Sequence, residues 1–76
     1  MKLYTGSYFA FFTSNRSHWI EMELPHPTRL TDILAELGIP AAEVHLAVIN
    51  DQVLESTDTF VANEDTVRLY PPVNGG

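Results

Sequence analysis

Leu30-Thr31-Asp32-Ile33-Leu34-Ala35-Glu36-Leu37-Gly38-Ile39-Pro40 decides the architecture of this chain. Leu30, Ile33, Leu34 and Leu37 recur at i, i+3, i+4 and i+7, so all four fall on one stripe of a helix. Thr31, Asp32 and Glu36 fall on the opposite, wet side. Gly38 suits the left-handed residue that ends a helix, Ile39 suits the apolar contact that follows it, and Pro40 forbids continuation. Upstream, Pro25-His26-Pro27 breaks whatever precedes, and Thr28 is a candidate N-cap. An amphipathic helix with one apolar stripe must bury it, and the rest of the chain is strand-like.

Outward from the helix, Lys2 to Thr13 is rich in Tyr, Phe and Thr and reads as a strand, with Gly6 marking a bulge or a close backbone approach. Ser14-Asn15-Arg16-Ser17 is a polar turn. His18 to Leu24 alternates, with Ile20, Met22 and Leu24 on one face and Trp19, Glu21 and Glu23 on the other, which makes a half-buried strand and a hairpin with the first. Beyond the helix, Ala41 to Val44 reads as a short turn and Leu46-Ala47-Val48-Ile49 as a covered strand. Asn50-Asp51 is turn chemistry, after which Gln52-Val53-Leu54 returns as a short strand. Ser56 to Asn63 reads as irregular, anchored by Phe60 and Val61. Asn63-Glu64-Asp65 is a tight turn. Thr66 to Tyr70 is the last strand, with Val67 and Leu69 inward and Arg68 and Tyr70 outward.

Hairpin, helix, then strands predict an α+β domain over residues 1–70: a mixed sheet of four to five strands packed on one main helix. The last strand pairs parallel to the first through a right-handed crossover. This is the β-grasp, or ubiquitin-like, arrangement. Residues 71–76, Pro71-Pro72-Val73-Asn74-Gly75-Gly76, read as an extended, flexible tail. The prolines disfavour helix and the glycines carry no side chain to pack. At about 3.3–3.6 Å per residue the tail holds Gly76 roughly 20 Å from the domain. A frayed terminus, a cut linker or a cloning remnant also ends in small residues. The Tyr70-Pro71-Pro72-Val73-Asn74 lead-in is too specific for a vector scar.

The 76 residues carry four basic and ten acidic side chains, for a net charge of −6. Lys2, Arg16, Arg29 and Arg68 are scattered, which excludes a phosphate-binding basic patch and hence nucleic acid. There is no cysteine, so no disulfide, thiolate ligand or thiol nucleophile exists. No apolar run approaches the roughly 20 residues of a membrane span, and no secretory pattern opens the chain. A cytoplasmic setting without membrane association is the expectation. His18, His26 and His45 match no metal-ligand spacing, and no metal is expected. Ser14 and Ser17 have no partnering base in sight, so nucleophilic catalysis has no support. Tyr8, Trp19 and Tyr70 are candidates for the outer sheet face. Arg68 and Tyr70, next to the tail, are favoured over Trp19 as a docking patch.

Residues 28–76 resemble the MoaD/ThiS family of ubiquitin-like sulfur carriers. The helix Leu30–Ile39, the segment Ala47-Val48-Ile49-Asn50, the Asn63-Glu64-Asp65 turn and above all Val67-Arg68-Leu69-Tyr70-Pro71-Pro72-Val73-Asn74-Gly75-Gly76 carry the resemblance. The ending is closer to the molybdopterin-synthase small subunit than to the thiamine branch. Phe9-Ala10-Phe11-Phe12-Thr13-Ser14-Asn15-Arg16 lacks the Ala-x-Leu-Arg-like segment usual in the molybdopterin branch.

The resemblance implies a carrier, not an enzyme, with no bound cofactor. Its Gly76 carboxylate would be adenylated by a ubiquitin-activating-type adenylyltransferase that uses ATP, then converted to a thiocarboxylate. Sulfur would pass to molybdopterin, tungsten-cofactor or related biosynthesis, with a molybdopterin synthase large subunit as a further partner. Gly75, Pro71 and Pro72 would give the tail access to the partner's channel. A protein modifier forming isopeptide bonds through Gly76 and a non-conjugating β-grasp binding module are the alternatives.

Overall fold

Val67 and Leu69 project from the strand on which the sheet is assembled. In the computed structural model, which describes residues 1–13 and 17–72, this strand is β7 (Thr66–Tyr70). It pairs parallel with β1 (Lys2–Tyr4), Leu3 opposite Val67. On its other side it pairs antiparallel with β4 (Leu46–Ile49), Ala47 opposite Leu69. β2 (Trp19–Glu21) joins the outer side of β1 and β5 (Gln52–Leu54) that of β4, both antiparallel. The order β2-β1-β7-β4-β5, with first and last strands parallel at the centre, is the β-grasp arrangement. The expected hairpin, mixed sheet and parallel pairing are all present.

The main helix, α2 (Leu30–Leu37), buries Leu30, Ile33 and Leu34 in one cluster with Leu3, Ala47, Val67 and Leu69. Leu37 packs at its margin. Its end is a Schellman motif. Gly38, at φ 80°, donates its N–H to Ala35 O at 3.2 Å, and Ile39 donates to Leu34 O at 2.9 Å. Ile39 is buried beside them, which supplies the apolar contact that the motif favours.

The start of α2 differs from expectation. Thr28 does not cap it. Thr28–Arg29 forms β3, antiparallel to β6 (Phe60–Val61). Arg29 takes the N-cap position with extended backbone and no side-chain cap bond. The backbone supplies what a cap would: Leu30 N–H donates to Thr59 O at 2.8 Å. The stretch read as irregular therefore contains a strand. Of its two proposed anchors only Val61 is buried, while Phe60 is exposed. The Arg29 guanidinium lies 4.9 Å from the Phe60 ring centre and pairs with Asp58.

The first strand is also shorter than the sequence suggests. It stops at Tyr4, and Gly6 (φ 66°) turns the chain into a five-residue helix, α1 (Gly6–Ala10). The N–H and hydroxyl of buried Thr5 both donate to His18 O, at 2.8 and 3.1 Å. That double contact closes the hairpin at Thr5, and the positive φ takes the following residues out of the sheet. Phe9 thereby reaches the core, with no exposed surface. The turn expected at Ser14-Asn15-Arg16 lies outside the described residues.

Asn50 (φ 49°) and Asp51 (φ 70°) form a two-residue connection, with Ile49 opposite Gln52. Two positive φ values match the twist of the flanking strands, as in a type I′ turn. Asn50 also accepts from Thr66 N–H through Oδ1 at 3.0 Å and donates Nδ2 to Asp65 Oδ1 at 2.7 Å. Asp51→Gly is therefore expected to stabilise the domain by about 0.5 kcal/mol. Relief of about 1–2 kcal/mol of left-handed strain outweighs about 0.4–1 kcal/mol of added chain entropy. The check is a higher urea midpoint at unchanged m-value. Asn50→Gly, which forfeits both side-chain bonds, should lower the midpoint.

Candidate functional site

Strand periodicity sends Ile20, Leu3, Val67, Leu69 and Ala47 into the core, so their neighbours emerge on the other face of the sheet. Register aligns those neighbours into one row. Trp19 is opposite Tyr4, Tyr4 is opposite Arg68, Arg68 is opposite Val48, and Val48 is opposite Val53. One position further along β7, Tyr70 is opposite Leu46. The run Leu46–Ile49 is thus not covered on both sides, as its continuous apolarity suggested. Only Ala47 is buried, and Leu46 and Val48 belong to the open face.

At the β2–β1–β7 end of this row the side chains form a cluster. The Tyr4 and Trp19 rings are 5.0 Å apart between centroids, and the Arg68 guanidinium lies 5.8 Å from the Trp19 ring centre. Tyr4, Trp19, Arg68 and Tyr70 together line a shallow depression. Trp19 and Tyr70 are each about two-fifths exposed (40% and 39%) and Val53 more so. Contiguous exposed aromatic and aliphatic surface of this kind marks an interaction site, and Trp, Tyr and Arg are the side chains that dominate binding energy.

Arg68 and Tyr70 stand where the sequence places them, on the outer face beside the tail. Trp19, ranked below them, lies in the same cluster beneath the Arg68 guanidinium. Tyr4, Val48 and Val53 were missed. Their signal was the register, since counting back from the Asn50-Asp51 turn puts Val48 and Val53 side by side. Tyr8 is not on the sheet face at all. It lies in α1 and donates its hydroxyl to Glu43 Oε1 at 2.7 Å.

That bond raises the Tyr8 phenol above its ordinary value of 10.0, with lost hydration and the Glu43 charge acting the same way. The bond's contribution is complete below the ordinary phenol range and is lost as pH rises through the raised value. Glu43→Ala should therefore lower the titration of one of the three tyrosines, read by tyrosinate absorbance. No change in any of them would remove Glu43 as the cause.

The ladder runs to the very end of β7, where His45 N–H donates to Tyr70 O at 2.9 Å. Pro71 and Pro72 follow at once and have no N–H with which to extend it. Pairing stops there because of residue type, and Pro72 is exposed. Parallel pairing with β1 ends at Tyr4 opposite Arg68, so the last two residues of β7 run past the end of β1. Gly75 and Gly76 lie outside the described residues.

Among the described residues no three of His, Cys, Asp and Glu are placed to hold a metal ion. No helix there is long and apolar enough to cross a membrane. The sequence matches the ThiS family over residues 10–76. The chain belongs to the ThiS family. The match begins at the last residue of α1 and spans the main helix, the outer-face strands β2, β4, β5 and β7, and the glycine pair. No significant match to a curated protein or to a solved structure was found.

Membership of the ThiS family brings a general role. Its members are small β-grasp sulfur carriers without catalytic activity of their own. They work with an adenylyltransferase and a synthase.

Proposed function

We propose that this carrier works through the carboxylate of Gly76. A carboxylate is a poor electrophile because its charge repels nucleophiles. Attack of one carboxylate oxygen on the α-phosphorus of ATP, in the active site of a ubiquitin-activating-type adenylyltransferase, releases pyrophosphate and leaves an acyl adenylate. Hydrosulfide then attacks the acyl carbon. AMP departs with the oxygen, and a thiocarboxylate remains. The carrier supplies neither base nor metal. Its part is to dock and to place the reacting carbon, so that binding energy from the remote body is spent at the tip.

The observation that carries this reading is the family match running through Gly75-Gly76, together with the open aromatic cluster beside β7, the strand that leads to the tail. Arg68 and Tyr70 are the proposed docking residues, and Pro71 and Pro72 stiffen the approach. Gly75 keeps the approach slim, since any side chain there would crowd a narrow channel. The Pro71-Pro72-Val73-Asn74-Gly75-Gly76 ending favours molybdopterin, tungsten-cofactor or related biosynthesis, with a synthase large subunit receiving the tail, over thiamine chemistry.

The test is tandem mass spectrometry of the untagged protein after incubation with ATP, sulfide and a cognate adenylyltransferase. Sulfur in place of oxygen, localised to the terminal peptide, is the expected result. Localisation matters because oxidation of Met1 or Met22 adds nearly the same mass. A terminus that stays a plain carboxylate with an active partner overturns the proposal. Conversion of a molybdopterin precursor by the loaded carrier with a synthase large subunit tests the pathway.

A further inference from the structure

A second cluster of aromatic side chains lies away from the outer-face row, on α1 and the turn after it. Tyr8, Phe11 and Phe12 line one shallow apolar depression with Ser7. Phe11 is 87% exposed, the most exposed large apolar side chain among the described residues, and Tyr8 (44%) and Phe12 (36%) flank it. The rings form an ordered group, with Tyr8–Phe12 and Phe11–Phe12 each edge to face at 6.1 Å. Glu43 adjoins it through the Tyr8 hydroxyl. Among the described residues the one ion pair is Arg29–Asp58, so Glu43 has no cationic partner there.

The same protein shows what such a set of groups holds. Arg29 lies 4.9 Å from the Phe60 ring centre while its guanidinium pairs with Asp58. A flat cation is held there by a ring and a carboxylate together. Tyr8, Phe11, Phe12 and Glu43 offer the ring faces and the carboxylate without the cation. We propose that this cluster is a second docking surface, which takes a short partner segment presenting an arginine flanked by aliphatic residues.

Magnitudes select that occupant. A full aromatic side chain offers about 150–250 Å², so three at these exposures offer roughly 250–400 Å². A stable interface between globular partners buries about 800 Å² on each side. The surface is too small to hold a second copy of this chain, and two copies would also bring together two net charges of −6 and two Glu43 carboxylates. It is the right size for one or two anchoring side chains. Arginine fits better than lysine because its planar guanidinium stacks on rings and pairs with a carboxylate through two N–H groups. The acidity of the whole chain favours encounter with a basic segment.

The test uses the ¹⁵N-labelled full chain, titrated with the peptide acetyl-Leu-Arg-Arg-Leu-amide and, as control, acetyl-Leu-Glu-Glu-Leu-amide. The amides of Ser7, Tyr8, Phe11 and Phe12 should shift and saturate with the arginine peptide alone. Phe11→Ser should abolish the response, and Glu43→Gln should weaken it several-fold. Phe11 contributes little to the core, so unchanged dispersion elsewhere in the spectrum certifies the fold of that variant. Shifts spread evenly over Glu21, Glu23, Asp32 and Glu36 and indifferent to Phe11→Ser would reduce the effect to bulk charge and overturn the proposal. So would the absence of any shift at the solubility limit of the peptide. Movement of the same amides with protein concentration alone would overturn it in favour of a second copy. None of these readouts involves Gly76, so the result is independent of the carrier chemistry.

Discussion

Deletion of Gly76 abolishes sulfur loading and leaves the melting midpoint where it was. The first half of that expectation is geometric. Removing one residue draws the terminal carboxylate back by about 3.3–3.6 Å. Reacting atoms must approach within about 3–3.5 Å, and a misplacement of about 1 Å already costs on the order of 100-fold in rate. A full residue of retreat exceeds any adjustment that a docked body allows, so loading should fall by at least about 100-fold. The second half is structural. β7 ends its pairing at Tyr70, and the core cluster draws nothing from Pro71 or Pro72.

A companion variant separates placement from docking. Arg68→Glu puts a like charge into the Trp19–Tyr4–Tyr70 cluster and should weaken engagement of the adenylyltransferase. Its loading defect should shrink as partner concentration rises, whereas the defect of the deletion should not. Thiocarboxylate yield by mass spectrometry, beside a thermal melt, reads both. A deletion variant that loads normally would exclude Gly76 as the working group.

The features legible in the sequence were those fixed by a period over several residues. The Leu30, Ile33, Leu34, Leu37 stripe with Gly38 and Ile39 after it permits one conformation. So does the alternation of Val67 and Leu69 with Arg68 and Tyr70. From these two elements the β-grasp topology follows, because one stripe needs one sheet face. Features set by long-range pairing were not legible. β3 and β6 are two residues each, too short for any period, and exist because each satisfies the other's backbone. Thr28 has the right chemistry for a cap and was displaced by a carbonyl from Thr59, distant in sequence. In the candidate site, Arg68 and Tyr70 could be named from their place before the tail. Val48 and Val53 could be paired by counting back from the Asn50-Asp51 turn, but neither they nor Tyr4 could be joined to that site, because the joining depends on which strands lie side by side.

The region around Phe9 shows the limit most sharply, and it yields the second large effect. Tyr8-Phe9-Ala10-Phe11-Phe12-Thr13 has the composition of a strand, yet it is a helix followed by a turn. α1 has five residues, no side-chain cap and no charged residue in its terminal turns. A helix of that length has no stability of its own. Burial of Phe9 is what holds it. Phe9→Ala should therefore cost about 3–5 kcal/mol. For a 76-residue domain at about 0.05–0.15 kcal/mol per residue, the total available is roughly 4–11 kcal/mol. One side chain thus commands between about a quarter of the stability and all of it.

Urea unfolding followed by Trp19 fluorescence gives the number. Phe9→Leu, which keeps most of the volume, should stay within about 1.5 kcal/mol of the parent. A loss below about 1 kcal/mol in Phe9→Ala would mean that α1 is not seated by its core residue. Where the variant still folds, the loss should be local before it is global. The N–H groups of Phe12 and Thr13, which donate to Phe9 O and Ala10 O at 3.1 Å each, should lose hydrogen-exchange protection first. Binding of the arginine peptide should then disappear, while Trp19, Arg68 and Tyr70, held by the register of β2, β1 and β7, still engage the adenylyltransferase. The two surfaces are built on different supports, and Phe9 is the residue whose removal tells them apart.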